Sequence, residues 1–274
     1  MNKNQIFKKG STTYYFSSIF FPENVRNDVF TLYAFVRTAD DYVDQIPQDK
    51  LSFLEFKNKT HKALEGGKSQ NVIIDDLVLL ANRKKFEKKW TEAFLESMEL
   101  DLEVKKYETF SDLEKYIYGS ADVIGLMMAR IMDLPDKSLP AAQMLGKSMQ
   151  FINFIRDIGE DLELGRVYMP QDDLRKFGLL ENLSNAKENK TGFEKFIRYQ
   201  IEKYDNMAKE AETGFAYIMP RLRASIMTAN DMYKWTSKII EKNPQIIFAK
   251  KVKPQPIFVL FAYLKNLLKS YLQN

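Results

Sequence analysis

Apolar positions recur at helical spacing along nearly the whole chain, and no run keeps the strict alternation of a half-buried strand. The pattern predicts helices near residues 22–44, 49–65, 71–83, 88–105, 111–133, 138–165, 191–217, 219–242 and 255–272. Pro22 suits the first turn of the first helix, where its missing N–H is not needed. Gly66, Gly67 and Pro135 punctuate the first half. Ser111, with Glu114 three residues on, reads as a capping box. Gly178 to Thr191 reads as a surface loop. No boundary carries a linker polar or long enough to divide the chain. The expectation is one all-α domain over residues 1–274, a helical bundle around a central cavity, closed by a basic and apolar helix at about 250–274.

Two of the predicted helices break the pattern in the same way. From Gln150 to Pro170 the chain is apolar almost all round, as a buried helix is. Gln150, Asn153, Asp157 and Asp161 interrupt it. At 3.6 residues per turn these four fall within roughly 80° of one another, with Phe151, Ile152, Ile155, Ile158 and Leu162 opposite. In the first helix Val29, Tyr33, Val36, Asp40 and Asp44 lie one turn apart in succession, so carboxylates continue an apolar face inward. Arg37 shares that face. Like charges one turn apart repel by roughly 0.2–0.5 kcal/mol when exposed and by more when desolvated. Such pairs need a cation opposite them.

Composition narrows what the stripes can do. The chain has 274 residues, 45% of them hydrophobic, which is enough for a sizeable core. There is no Cys, so disulfides, thiolate metal sites and cysteine nucleophiles are excluded. The single His, His61, lies in a polar helical context that reads as solvated surface. The formal charge of +4 is spread along the chain, and the clusters Lys84, Lys85, Lys88, Lys89 and Lys250, Lys251, Lys253 read as solvated faces, with no nucleic-acid partner implied. No run reaches the ~20 apolar residues that span a bilayer. The apolar stretch Tyr14 to Phe21 contains Ser17 and Ser18, ends at Pro22 and lacks a cleavage site, so it is no signal peptide. A cytoplasmic location is expected.

Each stripe carries Asp at i and i+4, a further acid (Asp41; Glu160) and an Arg just upstream (Arg37; Arg156). Oxygen ligands without His or Cys select Mg²⁺, with Mn²⁺ as a substitute, over Zn²⁺. Mg²⁺ takes one or two carboxylates and fills its other positions with water and phosphate oxygens. Acids for metal with arginines for phosphate suggest a diphosphate site between two helices. The plainer alternative is two helices with ordinary salt bridges, Asp40–Arg37 and Asp157–Arg156.

These residues carry a resemblance. ADDYVD after YAFVR, and QFINFIRDIGEDLELGRVYMP, resemble the two aspartate-rich motifs of the squalene/phytoene synthase family. The opening KGSTTYYFSSIFFPENVRNDVF, the small-residue stretch YIYGSADVIG and ANDMYKWTSKIIEKNP are similar to further family segments, over roughly residues 8 to 255. The resemblance implies an all-α prenyl transferase that joins two allylic diphosphates head to head through a cyclopropylcarbinyl diphosphate. It implies that Asp40, Asp44, Asp157, Asp161 and Asn153 bind metal. It implies that Arg37, Arg156, Arg166 and Gln150 contact the diphosphate substrate, and that Tyr33, Tyr116 and Tyr233 serve as pocket tyrosines, with plain packing the alternative for each. Lys250 stands where the family has a late cation. Asp41 and Glu160 read as supporting groups. The chain departs from the family at Ser11-Thr12-Thr13-Tyr14, which lacks the usual Lys, and at Asp122, where the family has Gly.

The resemblance implies carotenoid or related isoprenoid synthesis. The favoured product is phytoene, from two geranylgeranyl diphosphates via prephytoene diphosphate and without NADPH. Gly119, Ser120, Ala121 and Gly125 would leave room for a C20 tail, and Met127, Met128 and Met132 would line it. The alternatives are a C30 synthase that joins two farnesyl diphosphates to dehydrosqualene or squalene, a non-catalytic binder of prenyl diphosphates, and an all-α adaptor with incidental salt bridges. The basic and apolar C-terminal stretch either completes the core or lies against a membrane.

Overall fold

The structure, a computed structural model, describes residues 18–272. Its helices are α1 (Glu23–Asp44), α2 (Lys50–Leu64), α3 (Val72–Lys84), α4 (Lys88–Glu103), α5 (Phe110–Ile117), α6 (Val123–Ile131), α7 (Leu139–Arg156), α8 (Ile158–Glu163), α9 (Gln171–Lys176), α10 (Lys190–Ala211), α11 (Pro220–Lys242) and α12 (Pro256–Leu272). No strand forms among the described residues; one isolated bridge joins Lys106 to Val167. No described helix is long and apolar enough to cross a membrane. His61 sits half-exposed in the last turn of α2.

Two apolar clusters build the interior. One gathers α1 to α4 and α6 around Phe35, Phe53, Leu77, Phe94 and Leu95. The other gathers α5, α7, α10 and α11 around Phe151, Ile155, Phe193, Phe196 and Tyr204. Each buried side chain of that size removes about 1.5–3 kcal/mol worth of apolar surface from water. A cavity lies between the two clusters, and both clusters line it.

Three predicted elements differ from those observed. The helix expected over 111–133 is α5 and α6 joined by a π-turn, Tyr118–Asp122. Gly119 explains the join. A Cβ there would press into the Ala93 carbonyl oxygen and Ser97 Oγ of α4, so only Gly allows that approach. Its cap is Thr109 with Asp112, each side chain bonded to the other's backbone N–H, and not Ser111 with Glu114. Ser111 is exposed, and the box falls two residues earlier. The helix expected over 138–165 bends at Asp157, which takes φ −98° and ψ 8° between α7 and α8. The segment 178–189 is a loop, with 190 and 191 already in α10, yet it buries Leu179, Leu183 and Ala186 against the second cluster.

α12 packs Val259, Tyr263, Asn266 and Ser270 inward, chiefly against α11. Tyr263 stacks on Phe20 with centroids 3.8 Å apart. Its other face leaves Ile257, Phe258, Phe261, Leu264 and Leu268 about half exposed or more.

Candidate active site

The two acid stripes face one cavity of about 680 Å³. α1 contributes Tyr33, Arg37, Asp40 and Asp44; α7 and α8 contribute Gln150, Asn153, Arg156, Asp157, Glu160 and Asp161. Tyr116 from α5, Tyr233 from α11 and Arg166 complete the predicted set that lines it. Lys250 does not. It is exposed, and Lys251 and Lys253 line the cavity in its place. The segment after Phe248 is irregular, so no period marks which lysine turns inward. Beyond the polar end the wall is apolar, with Val29, Leu32, Ile124, Met128, Met132, Leu145 and Phe215.

The bend at Asp157 leaves the stripe continuous. Asp157 N–H donates to the Asn153 carbonyl at 2.8 Å, and Asp161 N–H to the Asp157 carbonyl at 2.8 Å. Gly165, at φ +69°, then turns the chain back in a conformation that favours glycine. The turn lays Arg166 beneath the end of α1 and Tyr168 against α4. Pro170 opens α9. The Gly-Arg-x-Tyr-x-Pro signature is thus a turn that delivers two side chains to the cavity wall.

Cations already hold part of the acid set. Arg156 grips Asp157 in a fork, Nε to Oδ1 at 2.7 Å and Nη2 to Oδ2 at 2.6 Å. Lys251 reaches Asp157 at 3.2 Å and also pairs with Glu160. Arg37 pairs with Asp41 at 2.5 Å, not with Asp40 as the salt-bridge alternative expected. Arg166 is buried and donates to Asp44 at 2.8 Å and to the Val43 carbonyl at 2.6 Å. Expected on the substrate, it is instead committed to the last turn of α1.

Asp40 and Asp161 have no ion-pair partner among the described residues. Desolvation by the surrounding protein, then repulsion from Asp44, pushes Asp40 up to about 8, against the pull of Arg37. Desolvation, then Asp157, pushes Asp161 up to about 8. Asn153 Nδ2 donates to Gln150 Oε1 at 3.4 Å, which leaves Asn153 Oδ1 buried and without a partner. Two carboxyls driven toward neutrality and an orphaned amide oxygen make a hard oxygen donor set that fits a divalent cation. Among the described residues no three acids stand close enough to form a ready-made metal cage.

The motif reading missed Asp101 of α4. It is buried in the cavity wall, accepts from the Tyr116 hydroxyl at 2.6 Å and from the Tyr168 hydroxyl at 2.7 Å, and is pushed up to about 6 by desolvation. A signal existed. Phe94, Met98 and Asp101 lie at i, i+4 and i+7, the same inward continuation that singled out Asp40.

The small residues divide by role. Ser120 and Ala121 line the cavity; Gly119 serves helix approach instead, and so does Gly125, which reaches the cavity wall but whose Cβ would press into the Ala142 carbonyl oxygen of α7. Met128 and Met132 line it, and Met127 packs in the first cluster. Asp122 is buried outside the cavity lining, with Gln143 Nε2 donating to it at 3.0 Å and Lys147 at 3.8 Å. Ser11 to Tyr14 lie outside the described residues.

The chain is similar to known proteins in sequence and in fold. A family model described as squalene/phytoene synthase matches residues 7–257. A 15-cis-phytoene synthase of Synechococcus elongatus is 26% identical over 263 residues, covering 90% of this chain and 85% of the relative. A phytoene synthase of Rhodobacter capsulatus is 30% identical over 236 residues, covering 84% and 69%. Among solved structures, a dehydrosqualene synthase crystallised with a ligand superposes with a TM-score of 0.88 at 24% identity, over 99% of this chain and 95% of that one. A squalene synthase from Alicyclobacillus acidocaldarius does so at 0.77 and 21%, over 88% and 92%. At those identities the structures speak for the fold.

Proposed function

The chain belongs to the squalene/phytoene synthase family and is a prenyl transferase; from that premise we propose that it joins two geranylgeranyl diphosphates head to head to give phytoene. The observation that carries the reading is the pair of acid stripes, on α1 and α7–α8, facing each other across one cavity whose far end is apolar. The relatives named phytoene synthase support the C20 substrate. So do Ser120 and Ala121, whose small side chains leave length in the wall.

The residues fit a divalent ion. Asp40, Asp44, Asp157, Asp161 and the orphaned Asn153 oxygen would hold Mg²⁺, or Mn²⁺, at one or two carboxylates per ion. When bound, such ions supply Lewis-acid pull on the leaving diphosphate. Arg156 and Lys251, now paired with Asp157, are placed to turn onto diphosphate once those acids have another partner. Arg37 stands beside them with the same choice between Asp41 and substrate. The apolar wall keeps water from the allylic cation, and Phe154, Tyr116 and Tyr233, which line the cavity, bring aromatic rings near it. Incubating the pure protein with Mg²⁺ and either geranylgeranyl or farnesyl diphosphate, with and without NADPH, should give a C40 product from the first. A C30 product with no C40 product would replace the phytoene reading by the dehydrosqualene or squalene one.

The same reading places the enzyme at a membrane surface, where its oily substrate and product reside. The exposed face of α12, with Lys265 and Lys269 along it, has the apolar and basic character of an interfacial helix. Deleting α12 would uncover its partners on α11, so point changes are the cleaner probe. Phe258→Ser, Phe261→Ser and Leu264→Ser together should lower the fraction that floats with anionic vesicles, while turnover of detergent-dispersed substrate stays unchanged. Flotation equal to that of the parent chain would remove this part of the proposal.

A further inference from the structure

Asp101 belongs to neither acid stripe, yet it is only 3% exposed and lines the cavity. A buried carboxylate is costlier than the apolar residues α4 otherwise turns inward. Its two oxygens are divided between two phenols: Oδ2 takes the proton of Tyr116 at 2.6 Å, and Oδ1 that of Tyr168 at 2.7 Å. Its backbone is also fixed, since its carbonyl accepts from Gln48 Nε2 at 3.0 Å and Lys105 Nζ at 3.1 Å. The rings stand in one cluster. Tyr168 stacks on Phe154 with centroids 4.3 Å apart, and Tyr116 lies 5.4 Å from Tyr168.

A phenol has one proton to donate and lone pairs to accept with. Tyr168 donates to Asp101 and accepts from Arg166 Nη1 at 3.4 Å. Tyr116, whose proton is turned to Asp101, can only accept from the cavity. We propose that Asp101 is a positioning residue for prenyl transfer: it turns the Tyr116 hydroxyl away from the cavity, so that the phenol oxygen's lone pairs face the prenyl chain. This rests on the prenyl-transfer reading above. An oxygen that only accepts attracts a carbocation and offers nothing to diphosphate, which needs donors. Asp101 thereby divides the cavity into two regions. Diphosphate belongs with Arg156 and Lys251, and positive charge on carbon belongs beside Tyr116.

Asp101→Asn tests this with no change of shape. The amide has one accepting oxygen and one donating nitrogen, so it can hold only one of the two phenol protons. The expected result is a kcat about 10²-fold lower with KM for prenyl diphosphate changed by no more than about twofold. Tyr116→Phe should behave alike. The double variant should be no worse than the worse single one, because Asp101 acts through that hydroxyl. A wild-type kcat in D101N, a KM that rises as kcat falls, or losses that multiply in the double variant would each overturn the inference. Should D101N fail to fold, the hydroxyl protons can be read in the unaltered enzyme by NMR with ζ-¹³C-tyrosine, assigned through Y116F and Y168F. Both should be downfield and slow to exchange, and a Tyr116 hydroxyl exchanging as a free phenol would overturn the inference. Wild-type protein inert toward both C20 and C15 diphosphates would sink the functional reading instead, and the hydroxyl measurement would still decide what Asp101 holds.

Discussion

Asp161→Asn should abolish turnover and, at neutral pH, make the metal-free protein more stable. The two effects have one cause. Burial, then the neighbouring Asp157 charge, pushes the Asp161 carboxyl up to about 8, and Arg166 only partly offsets them. Its unfolded value is about 3.9. Between these two values the folded chain binds a proton that the unfolded chain does not. Stability is therefore highest below the unfolded value and falls as pH rises toward 8, by up to about 1.4 kcal/mol per pH unit for each such group. Asp40, also pushed up to about 8, acts in the same direction. An Asn has no charge to desolvate, so the variant should lose part of this slope and melt higher at pH 7 in the presence of a chelator. Mg²⁺ should raise the melting temperature of the parent chain with release of protons, and raise that of the variant less. Melting curves from pH 5 to 8, with chelator and with Mg²⁺, read all of this. Parallel profiles for parent and variant would show that Asp161 is not held in the strained, cation-seeking state described above.

Much of this site was legible because a helix converts spacing into facing. Tyr33, Arg37, Asp40 and Asp44 need only α1 to be helical to share a side, and Gln150 to Asp161 need only α7 and α8 to run on through Asp157. Where helical period ends, so does the reading. Lys250 stands where the family has a late cation, but in an irregular stretch where one residue of register decides which side chain turns inward, and Lys251 does so. Arg166 was assigned to substrate because a motif gives order along the chain and not partners. That it lies under Asp44 follows from the turn at Gly165, which sequence marks only as a glycine. Gly119 carried a different ambiguity, since a missing side chain can serve a ligand or another helix. The Ala93 carbonyl of α4 at that position decides it. Asp101 was legible by the rule that found Asp40. It was passed over because it stands alone in ESMELDLE, among acids that face water.

Arg166 should prove the most costly side chain of the site to remove. It is 4% exposed and holds Asp44 Oδ1, the carbonyls of Val43 and Asp101, and the Tyr168 hydroxyl. Burial opposes its charge, and Tyr168, Asp101 and Asp44 more than compensate, so the guanidinium stays protonated. Arg166→Met keeps most of the volume and removes the cation. Asp101 is then buried without the cation that most favours its charge, and the carbonyls of Val43 in α1 and Asp101 in α4 each lose one of their donors. Asp44 is 43% exposed, so the loss is that of buried charge-assisted hydrogen bonds and costs about 1.5–3 kcal/mol. The cost depends on pH in a direction that identifies its origin. Asp101, already pushed up to about 6, rises further without Arg166 and takes a proton, so the penalty should be larger at pH 8 and shrink as pH falls toward about 6, below which parent and variant both hold that proton. Arg166→Lys keeps the charge but not the fork, and should fall between the parent and the methionine variant. Denaturant titrations at pH 5.5 and 8 measure these differences. A methionine variant as stable as the parent at pH 8, or a penalty that does not change with pH, would mean that Arg166 is not what favours the charge on Asp101.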